Sequence, residues 1–422
     1  MKIGLKSKMT KDVIWTFSIQ IAIMLCSFAV TKLLSNRLSI DDFGQYNLIK
    51  RSIQVLSFVM LAGVGITLPR YIPLYKKGEQ QKSIIPQLIA ALIYIIGVTI
   101  IVCAICGAFS AKLQPTILGE NDNNTLYAIA LAYAFILALC QYVFAYYRGI
   151  GNFKRYNGTQ LAIQIAIILP LIFIPILTTT TVFASWLIIT TALVAIYIGR
   201  ELLFKKFLKL SIASIKSEFN TIVRYSSGRL VADLFLFSLS AFPLIYISNT
   251  QGLQPTAYYS VGITFVTMVT PVYSFMGIIL LPFVSECIAK NQLNEAKRFV
   301  NRLSLFYIAT ALVIILIMYL FISFFTSLFF ANSYLITTDI SRIMILSILP
   351  QALYLLFRNP IDAVSIKPYN AIILGICLIA MIIVFSQSST LSQFAWAYLF
   401  VSILQGALSF ITWIVIKKPT KI

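Results

Sequence analysis

The chain has no histidine, few acidic residues and only six cysteines, so it offers little from which a metal site could be built. Of its 422 residues, 13 are Asp or Glu and 33 are Lys or Arg. Cys103 and Cys106 have the spacing of a metal or redox pair, but they lie in an apolar stretch with no second pair to complete a site. The sequence therefore favours buried packing for these cysteines over a metal or redox role.

Charged residues of both signs are scarce as well. They make up 11% of the chain, whereas hydrophobic residues make up 59%, and the mean hydropathy is +0.91. A soluble domain needs more polar surface than this, so the chain is predicted to be a membrane protein. It has no Walker motif and no soluble basic domain, which argues against ATP hydrolysis by this chain and against nucleic acid as a partner.

The apolar runs are continuous and about 20 residues long, as membrane-spanning helices require, and they do not alternate as the strands of a barrel would. The predicted fold class is an all-α integral membrane protein with twelve transmembrane helices. The first run lacks a small-residue cleavage site, so no cleavable signal is expected. The predicted spans are 13–34, 45–67, 84–109, 125–147, 159–177, 181–199, 220–247, 257–281, 303–329, 340–357, 369–387 and 394–416.

Lysine and arginine are distributed very unevenly between the loops. If the N-terminus lies in the cytoplasm, 25 of the 33 fall in inner segments, 2 in outer segments and 6 inside spans. Cytoplasmic loops carry such an excess, so both termini are predicted to be cytoplasmic. Most of the net charge of +20 therefore reflects membrane topology.

A weak internal repeat relates the two halves of the chain. When the sequence is shifted by 213 residues, Asn36 and Tyr46 align with Asn249 and Tyr259, and the span boundaries coincide. Six spans in each half give both halves the same orientation, which makes this a parallel repeat. The predicted domains are an N-terminal six-helix lobe, a cytoplasmic amphipathic linker and a C-terminal six-helix lobe, at residues 1–205, 206–219 and 220–422.

Short motifs at corresponding places in the two halves resemble those of a known family. The segments LLSNRLSIDDFGQYNL and GVGITLPRYIPLYKKGE, with AYYSVGITFV and LLPFVSECIAKNQLNEAKR in the second half, are similar to Wzx-type oligosaccharide flippases, which move O-antigen or other polysaccharide repeat units. These belong to the multidrug/oligosaccharidyl-lipid/polysaccharide exporter superfamily. The resemblance covers the whole chain in length, span number and repeat. It implies a MATE-like fold, in which two pseudo-symmetric six-helix lobes surround a central cavity that opens alternately to each side, and it implies lipid-diphosphate-linked sugars as substrates.

Two adjacent cations, Lys50 and Arg51, lie inside the predicted second span. A cation at the bilayer centre costs about 2.5–3.5 kcal/mol on insertion scales, and neighbouring helical residues point about 100° apart, so one lipid-facing stripe cannot hide both. Polar residues recur at helical spacing beside them and along the first span. We interpret these stripes as the lining of a hydrated cavity, with a dry polar interface as the alternative. They comprise Tyr46, Gln54 and Ser57 in the second span and Thr16, Gln20, Ser27 and Thr31 in the first.

The other cations inside spans are weighed by their depth. Lys32 and Arg342 lie near outer ends and Arg224 near an inner end, so interfacial anchoring competes with substrate binding for all three. Arg229 and Asp233 lie deeper, and their spacing of four residues puts them on one face of a helix. They could form a structural ion pair. Alternatively, Arg229 could bind substrate while Asp233 binds a coupled cation or proton.

A net positive cavity suits a diphosphate, so the predicted function is that of a flippase and not of an enzyme. The expected substrate is an undecaprenyl-diphosphate-linked oligosaccharide, moved from the cytoplasmic to the periplasmic leaflet of the bacterial inner membrane for O-antigen, lipopolysaccharide or related polysaccharide biosynthesis. No cofactor is expected, and either the membrane potential or a gradient of H⁺ or Na⁺ would supply the energy. Expected partners besides the substrate are the lipid bilayer and the polymerase and chain-length proteins of the same pathway. The candidate ligands of the diphosphate or of an anionic sugar are Lys50, Arg51, Arg229, Lys32, Arg342 and Arg224.

Two other functions fit parts of the sequence. A multidrug or cation antiporter of the same fold would need acidic residues in its lumen, and Asp233 is the only deep carboxylate. An integral-membrane polysaccharide polymerase or glycosyltransferase would need a large outer loop or a carboxylate pair. The outer loops are short, and the adjacent Asp41 and Asp42 precede the second span, where capping of a helix N-terminus is the expected role.

Overall fold

The computed structural model is helical almost throughout the residues that it describes, and it divides into two compact units. Unit 1 comprises Met1–Leu234 and unit 2 comprises Phe235–Ile422. The predicted lobe boundaries near residues 205 and 220 stay a prediction. The structure describes residues 2–77, 84–119, 123–202, 211–289, 292–365 and 367–416, and within these helices the side chains of some residues, among them 2–14, 227–233 and 275–279, are outside the description.

Unit 1 contains nine helices and the first part of a tenth among the described residues. They are α1 (Lys2–Arg37), α2 (Ile40–Leu61), α3 (Val64–Lys77), α4 (Ile85–Ala108), α5 (Ser110–Leu118), α6 (Asn124–Gly149), α7 (Phe153–Ala166), α8 (Leu169–Phe173), α9 (Thr179–Leu202) and α10 (Ile212–Gln251). Helix α10 continues without interruption into unit 2. Residues 212–234 of α10 therefore belong with the first half of the chain.

Unit 2 holds the rest of α10 and, in its described part, seven further α-helices and one 3₁₀ helix. They are α11 (Leu253–Ala289), α12 (Leu293–Leu320), α13 (Ile322–Phe329), the 3₁₀ helix Asn332–Thr337, α14 (Thr338–Ile345), α15 (Ile348–Val364), α16 (Tyr369–Ser386) and α17 (Leu391–Val415).

The membrane-spanning helices follow the long apolar runs of the sequence. Among the described residues, eight helices are long and apolar enough to cross a membrane, or ten if each of two bent pairs counts as one span. The pairs are α2 with α3, bent by 44°, and residues 332–345 with α15, bent by 45°. The predicted seventh and eighth spans coincide with α10 and α11, parts of which lie outside the described side chains. The fold class is confirmed, and the count of twelve stays a prediction.

Polar side chains at the helix starts explain where several helices begin. The hydroxyl of Ser39 accepts a hydrogen bond from the Asp42 backbone N–H at 3.0 Å, and the Asn123 side chain does the same for Leu126 at 2.9 Å. Such N-caps satisfy backbone donors that have no partner inside the helix. Asp41 and Asp42 lie in the first turn of α2, as predicted, where the helix dipole favours negative charge, but the residue that caps the helix is Ser39.

Helix α2 ends at a backbone break within the predicted second span. Ala62 and Gly63 both have left-handed conformations, with φ of 50° and 77°, before α3 begins at Val64. For alanine this region costs roughly 1–2 kcal/mol, so packing must hold it in place. Helix α11, the repeat counterpart of α2 and α3, is continuous from Leu253 to Ala289.

Two arginines donate hydrogen bonds to backbone carbonyl groups that have no N–H partner within their own helix. Pro69 has no N–H to donate to the Gly65 carbonyl, and Arg148 Nη2 donates to that oxygen instead at 2.9 Å. Arg37 donates to the carbonyls of Leu171, Ile174 and Pro175 at 2.5–2.7 Å, where α8 ends. Both arginines therefore have structural roles in unit 1.

The internal repeat is visible in local structure. Phe109 separates α4 from α5 with φ −107° and ψ 23°, and Phe321 separates α12 from α13 with φ −107° and ψ 22°. Asn36 and Asn249 each donate a side-chain hydrogen bond to the carbonyl four residues earlier, at 2.9 and 2.7 Å. The two asparagines are counterparts in the shift of 213 residues, and Phe321 lies one residue before the counterpart of Phe109, so these similar geometries support the repeat that the sequence predicts.

Candidate anion-binding site

The site begins with the position of Lys50 and Arg51 on α2. They lie ten and eleven residues from the start of the helix at Ile40, which is about 15 Å along its axis. Both side chains are half-buried. Helix α2 packs against α1, α4, α5, α6 and α9 within unit 1, so neighbours on several sides fix its path through the unit.

Each cation contacts a neighbour on its own helix. The Lys50 Nζ lies 5.5 Å from the centroid of the Tyr46 ring, one turn earlier, in a cation–π contact. Arg51 Nη1 donates to Gln54 Oε1 at 3.3 Å. Within the described part of the chain, Lys50 makes no ion pair with a carboxylate. The pair thus places two like charges side by side, an arrangement that favours an anion nearby.

Tyr46 does not belong to a polar lumen, which corrects its predicted role. Its side chain is 1% exposed, and its ring packs 5.8 Å from both Phe183 and Trp186. The repeat counterpart Tyr259 is likewise buried, 6.4 Å from Phe385. An aromatic ring gains more from this packing than from water, so the helical spacing of Tyr46 with Lys50 does not place both on a wet surface.

The polar stripe of the first span is an interface between helices, which corrects the prediction of a hydrated surface there. Gln20 donates to Gln160 at 2.8 Å, and Thr31 bonds to the Ser27 carbonyl of its own helix at 3.0 Å. Two further pairs join α1 to α7, from Asn157 to Thr16 at 2.8 Å and from Gln164 to Ser27 at 3.1 Å. The dry alternative applies to this stripe because direct partners take the place of water.

The cations near helix ends have different surroundings. Arg342 donates to Asp339 at 3.1 Å and lies 5.7 Å from the Tyr319 ring, while Asp339 is 86% exposed. This surface pair favours the interfacial alternative for Arg342 over anion binding. Arg224 is exposed on α10, and Lys32 is half-buried near the end of α1. Both stay candidates from the sequence alone.

Arg229 and Asp233 lie on α10, but their side chains are outside the described residues. Their backbone belongs to unit 1, together with Lys32, Lys50, Arg51 and Arg224. Of the candidate cations, Arg342 alone belongs to unit 2. All the charged residues of the predicted site except Arg342 therefore belong to the unit that contains the first half.

A contact that sequence reasoning missed joins α3 to α10. The hydroxyls of Thr67 and Ser226 are 2.7 Å apart, and both residues are buried. The available signal was the pair of glycines at 63 and 65 inside a predicted span, because glycine within a helix often marks close approach of another backbone.

These features define a helical membrane protein with two repeated halves, in which most of the cations inside predicted spans belong to the first half. Such internal repeats are typical of transporters. The chain belongs to the polysaccharide biosynthesis protein family, whose family model matches residues 9–288. A comparison with curated protein sequences found no match.

Solved structures with the same fold extend over nearly the whole chain. The lipid II flippase MurJ, in an inward closed conformation, is 14% identical with a TM-score of 0.72, and the match covers 94% of this chain and 87% of MurJ. A mutant of the Vibrio cholerae MATE transporter VcmN is 15% identical with a TM-score of 0.64, covering 96% of each chain. A MOP-superfamily transporter from Pyrococcus furiosus, for which reverse polarity of the binding pocket was taken to suggest a different function, is 13% identical with a TM-score of 0.63, covering 96% and 92%.

The family match and these folds confirm the recognition made from the sequence. The MATE-like fold class is the one that the resemblance implied. By their names the matched structures are transporters or a flippase, and the expectation that this chain is not an enzyme agrees with them.

Proposed function

We propose that the chain moves a polyprenyl-diphosphate-linked oligosaccharide across the bacterial cytoplasmic membrane, towards the outer leaflet, and that Lys50 and Arg51 bind its diphosphate. One observation carries the proposal. Two adjacent half-buried cations lie about 15 Å into α2, whereas the repeat counterpart α11 has Ile263 and Thr264 at these positions. Ile263 is buried, and the Thr264 hydroxyl bonds to its own helix at the Ser260 carbonyl.

The two side chains suit a diphosphate in different ways. The planar guanidinium of Arg51 can bind two phosphate oxygens at once, whereas the ammonium of Lys50 acts as a compact charge with three donors. Gln54 accepts a hydrogen bond from Arg51 and so helps to orient it. The contact of Lys50 with the face of the Tyr46 ring leaves its N–H donors available, because the ring offers no conventional acceptor.

The charge of the substrate also suggests an energy source. The cell interior is electrically negative, and moving one elementary charge across 100 mV changes its free energy by about 2.3 kcal/mol. An anionic headgroup that travels outward is therefore driven by the membrane potential. Binding of H⁺ or Na⁺ at Asp233 is the second element of this proposal, because it would return charge inward as the empty carrier resets.

Reconstituted proteoliposomes test the anion site directly. The assay follows transbilayer movement of a fluorescent polyprenyl-diphosphate-linked sugar, with Lys50→Gln and Arg51→Gln as the test variants. Each is expected to lower the rate about tenfold or more, because a hydrogen bond to a charged group contributes about 1.5–3 kcal/mol. Arg342→Gln is the matched control and should keep the wild-type rate. Wild-type rates in both test variants, at equal protein levels, would reject the site.

The same vesicles separate a flippase from a drug antiporter. A cationic dye replaces the lipid-linked sugar, and its efflux is measured with the Lys50→Gln and Asp233→Asn variants. A flippase of the proposed kind exports no dye. Dye export that requires Asp233 but not Lys50 would favour the antiporter instead.

A further inference from the structure

The contact between α3 and α10 is so close at Gly63 that a methyl group added there would collide with Ser226. Gly63 has a φ of 77°, and a Cβ added to it would lie 2.9 Å from the Ser226 carbonyl oxygen and 3.1 Å from the Ser226 Cβ. The first distance is too short for a real Cβ contact, and the second is tight, so Ser226 would have to move away. The close approach of α10 to this break therefore depends on glycine at position 63.

The hydrogen bonds at this contact have a defined direction. The Thr67 hydroxyl donates to the Gly63 carbonyl at 3.1 Å, so its single proton is used there. The Ser226 hydroxyl must then donate to the Thr67 oxygen, 2.7 Å away. Thr67 is 0% exposed and Ser226 is 1% exposed, so the chain of hydrogen bonds is closed to water.

The break on which α10 rests is itself firmly attached to α6. Arg148 donates to the Gly65 carbonyl at 2.9 Å, and Gly149 lets the side chain of Ile72 approach α6 closely. The α3 side of the contact is thus anchored to α6. Among the side chains that the structure describes, α10 meets this break through the hydrogen bond of Ser226 with Thr67 and through the fit against Gly63. We therefore expect α10, and not α3, to shift if the two separate.

We propose that Gly63 and Thr67 form a notch in which Ser226 of α10 docks, and that α10 must leave this notch and return to it in each transport cycle. The inference rests on the proposed function only in assuming a transport cycle, because docking itself can be measured on the protein alone. Helix α10 also continues into unit 2, so its release would displace residues of both halves.

A disulfide across the notch tests whether release is needed. The six native cysteines, which are free thiols, are replaced by alanine, and Thr67→Cys is combined with Ser226→Cys. The short distance between the two hydroxyls suits a disulfide. Oxidised protein, checked by mass spectrometry, should flip the fluorescent lipid-linked sugar at background rate and recover on reduction. Each single-cysteine variant should be indifferent to the oxidant. Failure of the disulfide to form, or flipping at full rate by the oxidised protein, would overturn the proposal.

A second measurement needs no substrate. In the protein whose native cysteines are replaced by alanine, Ser226→Cys is the single thiol and is labelled with a hydrophilic maleimide in detergent. A docked residue 226 should react slowly with this reagent. Thr67→Val removes the hydrogen-bond acceptor and should raise the labelling rate about fivefold, as loss of a typical hydrogen bond would. Gly63→Ala should raise it further, whereas Ala62→Gly, one residue away, should not. Equal rates in all variants would reject the notch, even if flipping proves to be real. The predicted order of rates would support it even if no lipid-linked sugar is transported.

Discussion

The two halves of the chain share a plan but interrupt their helices at different places. In the first half the second span is bent at Ala62 and Gly63, and the fourth, α6, is continuous. In the second half the corresponding α11 is continuous, and the break falls instead between α14 and α15. The breaks at Phe109 and Phe321 are common to both halves.

The comparison separates features that both halves share, which we assign to packing, from features of one half, which we assign to transport. Features found in both halves, such as Tyr46 and Tyr259, are buried beside other aromatic rings in each half and so serve packing. Features found in one half only are the adjacent cations of α2 and the glycine notch beside α10. We therefore expect substitutions in the first group to affect stability and those in the second to affect transport.

Exchanging the cations for their counterparts should have the largest effect. The double variant Lys50→Ile with Arg51→Thr gives α2 the residues that α11 carries at these positions. Flipping in proteoliposomes should fall to background, because both charge-assisted contacts are lost together. Thermal stability should be kept or increased, since removal of charge from a membrane helix relieves a cost of about 2.5–3.5 kcal/mol per residue on insertion scales. A double variant that still transports would erase the functional contrast between the halves.

Removing the shared tyrosine should destabilise either half by a similar amount. Tyr46→Ala and Tyr259→Ala each leave a cavity in an aromatic core, and the loss in free energy of unfolding should be about 3–5 kcal/mol in detergent. Tyr46→Phe should be neutral, because the buried Tyr46 hydroxyl makes no hydrogen bond in the described structure. A marked loss of transport by a stable Tyr46→Phe variant would return this residue to the substrate site.

Removing the arginine that anchors α3 after the bend of the second span should have an intermediate effect on stability. Arg148→Ala leaves the Gly65 carbonyl without its partner and should cost about 1.5–3 kcal/mol, the value of a hydrogen bond to a charged group. Arg70→Ala is the control, because Arg70 is an exposed arginine on the same helix and its guanidinium lies 5.9 Å from the neighbouring Tyr71 ring. Equal unfolding curves for the two variants would show that Pro69 needs no compensation.

The smallest effect is expected at the interface of α1 with α7. Gln20→Leu should cost about 0.6 kcal/mol, the average for such bonds between membrane helices, and adding Gln160→Leu should restore most of it. A double-mutant cycle on thermal unfolding measures this coupling. If both single variants and the double variant instead impair transport with unchanged stability, the first-span stripe is a wet surface after all.

Much of the fold could be predicted from the sequence because long apolar runs have few alternatives in a bilayer. The runs 84–109 and 394–416 became α4 and α17 with small shifts at their ends. Asp41 and Asp42 could be placed at a helix start because negative charge there has one common physical cause. The break at Ala62 and Gly63 could not be predicted, since small residues inside an apolar run are equally typical of an unbroken span.

The candidate site was harder to predict because a polar stripe shows which face is polar but not what lies opposite. Gln20 on α1 bonds to Gln160, and the matching spacing of polar residues on α7 was the overlooked signal. Tyr46 shares helical spacing with Lys50 and Gln54, yet its ring turns into an aromatic core. The charges themselves could be singled out from the sequence, because cations inside apolar helices are costly wherever they point.

The matched dihedral angles at Phe109 and Phe321 also bear on ancestry. A helix break of the same geometry in both halves, offset by one residue in the repeat, is explained by descent from one six-helix gene that later duplicated and fused. Because each copy had an even number of spans, the two copies had the same orientation in the membrane after fusion. Lys50, Arg51 and Gly63 have no counterparts in the second half, so they were acquired or kept by one copy alone. The two halves have therefore diverged in function since the duplication.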